Sequence, residues 1–107
     1  MDVPEIDVEG LARLHAEGAP VLDVREADEY AAGHVPGAQH IPLTDVPDRL
    51  GDLPTERPLY VICKTGGRSF KATEFLLARG VEAANVSGGT MAWIEAGQPV
   101  VGGSEPR

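Results

Sequence analysis

Apolar residues along this chain fall into short blocks that alternate between two spacings. Val21-Leu22-Asp23-Val24 and Leu59-Tyr60-Val61-Ile62-Cys63 are compact, mostly apolar runs. They have the length and composition of strands buried on both faces. Around them the spacing becomes helical. Val8, Leu11 and Leu14, with His15 at the margin, share one face of a helix from Val8 to about Glu17, with Asp7 as N-cap and Gly18 as stop. Phe70 to Arg79 is a second amphipathic segment, opened by Ser69 and stopped by Gly80. Weaker signals fill the rest. Pro4-Glu5-Ile6 reads as a first strand, Glu26 to Ala32 as a short helix ended by Gly33, and His34-Val35-Pro36-Gly37-Ala38 as a turn. His40-Ile41-Pro42 suits at most an edge strand. Thr44 caps a helix from Asp45 to Leu50, and residues 51–58 form a surface connection. Ala84 to Val86 is the last strand, and Gly88-Gly89 turns into a helix from Met91 to Ala96 that Thr90 caps and Gly97 ends.

Apolar strands alternating with amphipathic helices make an α/β fold with a parallel sheet covered by helices. In such folds the working site lies at the carboxyl ends of the strands. Asp23, Val24, Cys63 and Ser87 all sit at strand ends and are expected on one rim. A length of 107 residues suits one domain, placed at 1–100, with residues 101–107 as a flexible tail.

Composition narrows the chemistry. A formal net charge of −8 argues against nucleic acid and against anionic membrane surfaces as partners. No apolar run is long enough to cross a membrane. Met1-Asp2-Val3-Pro4-Glu5 has neither a basic region nor an apolar core, so an unprocessed cytoplasmic chain is the expectation. A single cysteine excludes an internal disulfide and a multi-cysteine metal site. No metal and no cofactor are expected. Charge is unevenly spread: no acid occurs between Arg57 and Thr73, where Arg57, Lys64, Arg68 and Lys71 fall. A basic patch around the lone cysteine suits a small anionic substrate better than a large polyanion.

The stretch Cys63-Lys64-Thr65-Gly66-Gly67-Arg68-Ser69 is the centre of that patch. Strand, glycine loop and helix start together aim backbone N–H groups at an anion. Gly66 and Gly67 can turn their amides inward, because glycine tolerates positive φ. A helix N-terminus and the nearby Lys64 and Arg68 favour thiolate over thiol. The same cradle stabilises a persulfide, which makes Cys63 a carrier that accepts a sulfur atom and passes it on. A plain core cysteine at a strand end is the bland alternative, and the surrounding cations and glycines disfavour it.

This stretch resembles the C-x-x-G-x-R-S loop of rhodanese-type sulfurtransferases. Leu22-Asp23-Val24-Arg25-Glu26, Glu29-Tyr30, Gly33 to Ala38 and Ile41-Pro42 are similar to that family's N-terminal signature. Gly88-Gly89 with Trp93 and Gly97-Gln98-Pro99 resembles its C-terminal one. The resemblance runs from about Ile6 to Pro99. It implies a single-domain rhodanese fold with a five-stranded parallel sheet and helices on both faces. It also implies thiosulfate-type sulfur transfer through a Cys63 persulfide, with Lys64 to Ser69 supplying amides and charges. The expected partners are a small anionic sulfur donor and a thiophilic acceptor, either cyanide or a thiol, with a protein acceptor also open. A non-catalytic module that keeps the fold is the first alternative. Cysteine-dependent phosphatases and arsenate reductases are the second. They are disfavoured because the phosphatase loop is one residue longer than the four, Lys64 to Gly67, that separate Cys63 from Arg68 here.

Other residues carry two readings each. Arg25 either binds substrate or joins Asp23, with Glu29 as a further candidate, in a buried ion-pair set. Arg68 either binds the donor or turns outward while its amide serves the loop, and Lys64 is the stronger candidate for attracting an anion. Ser69 is read as an N-cap. His34 is read as an anchor for the Gly33 to Ala38 turn, and His15 and His40 as structural. Trp93 suits the pocket wall and the core equally.

Overall fold

The computed structural model describes residues 2–107. Met1, on which part of the unprocessed-terminus expectation falls, lies outside them. Five strands form one wholly parallel sheet: β1 (Glu5–Ile6), β2 (Val21–Asp23), β3 (Gln39–His40), β4 (Leu59–Ile62) and β5 (Ala83–Val86). Their order is β1-β5-β4-β2-β3, which puts β4 at the centre. Four α-helices connect and cover them: α1 (Val8–Ala16), α2 (Ala27–Ala32), α3 (Gly67–Ala78) and α4 (Gly89–Glu95).

The two-residue period of strands divides the core into two layers. Leu22 of β2 with Val24 just beyond it, and Leu59 and Val61 of β4 with Cys63 just beyond it, point to one face, where Ala72 and Leu76 of α3 cover them. Val21 and Ile62 point to the other face, against Leu11 of α1, Tyr30 of α2 and Trp93 of α4. Cys63, one residue beyond β4, therefore directs its side chain toward the layer that α3 closes.

The fold class is as expected, and most differences lie at the ends of elements. Asp7 caps α1 as its sequence position indicates, accepting from the Gly10 amide at 2.8 Å. Ser69 and Thr90 are not caps. Gly66 and Gly88 hold those positions in left-handed conformation, so α3 and α4 each start earlier than their apolar spacing indicates. The early start places Ser69 inside the first turn of α3, where its hydroxyl faces the cysteine. The expected helix from Asp45 to Leu50 is instead a 3-10 helix over Leu43–Asp48 with Pro47 inside it. A second 3-10 turn, Leu50–Asp52, lies in the expected surface connection. The third strand lies at Gln39–His40 rather than His40 to Pro42. The C-terminal residues, expected to be a loose tail, lie against the body. Val101 forms an antiparallel bridge with His34, and the Pro106 carbonyl accepts from the Gly37 amide at 2.9 Å.

Candidate active site

The site is built where β4 gives way to α3. Cys63 is almost fully buried. Its Sγ accepts from the Gly66 amide at 3.1 Å and from Ser69 Oγ at 3.2 Å. Burial pushes the thiol's pKa up. The Ser69 hydroxyl and the backbone amides of Ser69, Gly66 and Thr65 more than offset that, and the net direction is below the usual thiol value of 9.0. The stabilisation comes from donors in the loop and from the first turn of α3. This arrangement suits a sulfur anion, whether a thiolate or a sulfur-extended one.

A second glycine turn braces the first. The Cys63 carbonyl accepts from the Thr90 amide at 2.9 Å and from Thr90 Oγ1 at 3.0 Å, while the Lys64 carbonyl accepts from the Met91 amide at 3.1 Å. Gly89, at φ +61°, lies so close that a Cβ there would fall 2.4 Å from the Lys64 oxygen. From below, Asn85 Nδ2 donates to the Gly66 carbonyl at 3.2 Å and to Glu5 at 2.8 Å.

The basic patch takes a different form from the expected one. Arg68 turns away from the loop and forms a bidentate pair with Glu29 of α2, at 2.7 and 2.8 Å. Its guanidinium holds the Glu29 carboxyl down at about 2, although partial burial opposes the shift. Arg57 lies apart from the loop, donating to the Gly18 carbonyl at 3.0 Å. Arg25 is buried against Asp23, with Nη2 on Oδ2 at 2.8 Å, and also donates to the Gly33 carbonyl at 2.9 Å. Glu29 is therefore not part of the Asp23–Arg25 set, as one reading had it. Lys64 remains exposed at the mouth of the loop. Among the described residues no cluster of three or more His, Cys, Asp or Glu could hold a metal ion, and no helix is long and apolar enough to cross a membrane.

Beside the loop opens a cleft of about 270 Å³, lined in part by Arg25, Glu29, Lys64 and Thr90. Trp93 does not line it. The indole is buried and donates to the Pro99 carbonyl at 2.7 Å, which settles its double reading in favour of the core. His34 anchors its turn: it is fully buried, stacks on Tyr30 at 3.6 Å and faces the Tyr30 carbonyl at 2.8 Å and the Pro106 carbonyl at 3.0 Å. His15 faces the Pro36 carbonyl at 2.6 Å and His40 the Arg25 carbonyl at 2.7 Å. Glu29, Asn85 and Thr90 join the site through tertiary contacts alone. Glu29 stands 39 positions from Arg68 and Thr90 27 from Cys63, and no local pattern reports such pairings.

Known proteins carry the same architecture. Residues 7–96 match the rhodanese-like domain. A sulfurtransferase of Allochromatium vinosum is 35% identical over 102 residues, covering 92% of this chain and 95% of that protein. The thiosulfate sulfurtransferase GlpE of Pseudomonas entomophila is 35% identical, covering 82% of each chain. The crystal structure of a rhodanese-related protein from Thermoplasma volcanium superposes with a TM-score of 0.86 at 35% identity, covering 92% of this chain and 97% of that one. With matches along nearly its whole length, and the sheet order and cysteine loop described above, the chain belongs to the rhodanese-like family.

Proposed function

We propose that this protein is a sulfurtransferase that moves sulfane sulfur from an anionic donor such as thiosulfate to cyanide or a thiol, through a persulfide on Cys63. In the first half-reaction the Cys63 thiolate attacks the outer sulfur of thiosulfate. A new S–S bond forms, the donor's S–S bond breaks, and sulfite leaves with the electron pair. In the second, the acceptor attacks the outer sulfur of the persulfide and Cys63 returns as thiolate. Neither step needs a metal or an organic cofactor, since the sulfur atoms exchange partners without net oxidation.

The observation that carries this reading is the pair of contacts on Cys63 Sγ, from the Gly66 amide at 3.1 Å and the Ser69 hydroxyl at 3.2 Å. They favour the anionic sulfur that both half-reactions need. In this scheme Lys64 draws the donor to the mouth of the loop, and Thr65, Gly66, Gly67 and Ser69 supply amides to the transferred sulfur. Arg68 contributes its amide and its Glu29 pair rather than a guanidinium on the substrate. Arg25 bounds the donor cleft through an Asp23-anchored side chain. The catalytic unit is a single domain over residues 1–100, and a cytoplasmic setting, with its reduced thiols, suits the chemistry.

Steady-state kinetics test the scheme. With thiosulfate and cyanide varied together, thiocyanate should form with the parallel double-reciprocal lines of a ping-pong reaction. Intersecting lines, or turnover that survives Cys63→Ser, would count against the persulfide route.

A further inference from the structure

Asn85 is an unexpected residue for its place. It belongs to β5, which is buried along its whole length, and asparagine is among the residues that strands disfavour. Its partners in register are Glu5 of β1 on one side and Val61 of β4 on the other. Strand alternation puts Asn85 on the same face as Ala83, in the layer that α3 covers. Cys63 lies two residues beyond Val61 and shares that face.

Both groups that the Asn85 amide meets are acceptors. Nδ2 donates to Glu5 Oε2 at 2.8 Å and to the Gly66 carbonyl at 3.2 Å, so the amide nitrogen faces them and the amide oxygen is turned away. That oxygen, Oδ1, is buried with no hydrogen-bond partner among the described residues. A buried acceptor without a partner is a cost, and an apolar side chain of the same size would avoid it. Stability of the strand alone therefore gives no reason for an asparagine here. The cysteine loop does give one. The Gly66 carbonyl belongs to the residue whose own N–H meets Cys63 Sγ at 3.1 Å. It also accepts from the Phe70 amide at 3.1 Å, in the first turn of α3. Gly66 stands at φ +119°, where a glycine is free to move and an outside contact is needed to fix its peptide planes.

We propose that Asn85 is a positioning residue for Cys63: its amide, held in turn by the Glu5 carboxylate, pins the Gly66 carbonyl and so keeps the Gly66 N–H aimed at the sulfur. The contacts run from Glu5 through Asn85 and Gly66 to Cys63, and they tie the edge strand to the reacting atom. This inference rests on the sulfur chemistry proposed for Cys63 and adds a residue that acts through the loop rather than on the substrate.

Asn85→Leu keeps the side chain's size and removes its donor. Alkylation rate against pH reads the titration of Cys63, and a residue that only packs the sheet would leave that profile in place. The midpoint should rise toward the ordinary thiol value. The kcat/KM for thiosulfate should fall about tenfold, less than the ~10²–10³ lost when a donor to the reacting atoms is itself deleted. Glu5 is exposed on the edge strand, so its variants carry the test if Asn85→Leu does not fold. Removing a negative charge by itself favours the thiolate and lowers the midpoint. Glu5→Leu should raise it instead, by releasing the Asn85 amide, whereas Glu5→Gln, which still offers an oxygen to that amide, should not. An unchanged midpoint in folded Asn85→Leu, or an unchanged or lower one in Glu5→Leu, would overturn the proposal. If the wild-type protein still gains a sulfur from thiosulfate in that case, the persulfide reading stands without Asn85. If the wild-type protein gains none, that reading fails and Asn85 has no part in sulfur transfer.

Discussion

Two glycine turns stand side by side in this protein and do opposite work. Gly66-Gly67 opens α3 and Gly88-Gly89 opens α4. Each pair has a glycine cap with positive φ. Around Gly66 the nearest atom to an added Cβ would be 3.6 Å away, and around Gly67 there is none within 4 Å. Around Gly89 an added Cβ would meet the Lys64 oxygen at 2.4 Å and the Cys63 oxygen at 2.6 Å. The first turn is open, with amides that curl around a sulfur. The second is closed, with a backbone that presses on the first and holds its carbonyls in place. The dipeptide is the same. What differs is whether glycine supplies conformational freedom or room for a close approach.

The largest effect separating the two turns is expected for Gly89→Ala. The added methyl clashes with the Cys63–Lys64 backbone, and alanine resists the left-handed conformation. Together these should cost about 3 kcal/mol of stability in a urea titration, with sulfur transfer falling as the Cys63 loop shifts. In the open turn the sensitive element is the donor set rather than the glycine. Ser69→Ala removes a hydrogen bond to a charged sulfur, worth about 1.5–3 kcal/mol, and should raise the Cys63 pKa. Alkylation rate against pH reports this directly. The wild-type midpoint should lie below the ordinary thiol value of 9.0, and the variant's should move up toward it.

A smaller effect should come from the Glu29–Arg68 pair that ties the open turn to α2. Glu29 titrates at about 2 in the folded protein against 4.5 ordinarily. Its contribution to stability is therefore fully present above about 4.5 and is lost as pH falls from there toward 2. Glu29→Gln should flatten that acid limb in thermal unfolding scans. The difference near neutrality should be under about 1 kcal/mol, because the Arg68 side chain is 36% exposed and water screens the pair. Smallest of all is Gly67→Ala. With no positive φ and nothing within 4 Å, it should change stability by less than about 0.5 kcal/mol.

How far the sequence reveals this site depends on the range of each interaction. Short-range periodicity is enough for the strand that delivers Cys63, for the cap at Asp7 and for the alternation of strands and helices, because each rests on neighbours in the chain; the five-stranded sheet is legible only through the family resemblance. Ser69 and Thr90 are natural cap residues, and local rules therefore read them as caps. Tertiary packing overrides those rules by giving the cap positions to Gly66 and Gly88, and it turns both hydroxyls toward Cys63: one to its sulfur and the other to its carbonyl. The acid-free run around Cys63 implies a cluster of free cations. Glu29 arrives from another element and neutralises Arg68, a pairing set by the approach of α2 to α3 and invisible to linear charge counting. The C-terminal residues, polar and glycine-rich, look loose in sequence, yet their backbone finds partners in His34 and Gly37.

The central claim, that the open turn holds sulfur on Cys63, is tested most directly by intact-protein mass spectrometry after brief incubation with thiosulfate and removal of excess donor. The account predicts a gain of one sulfur atom, lost on adding cyanide and absent from Cys63→Ser. An unchanged mass with thiosulfate and with an organic hydropersulfide alike, or the same gain in Cys63→Ser, would contradict it.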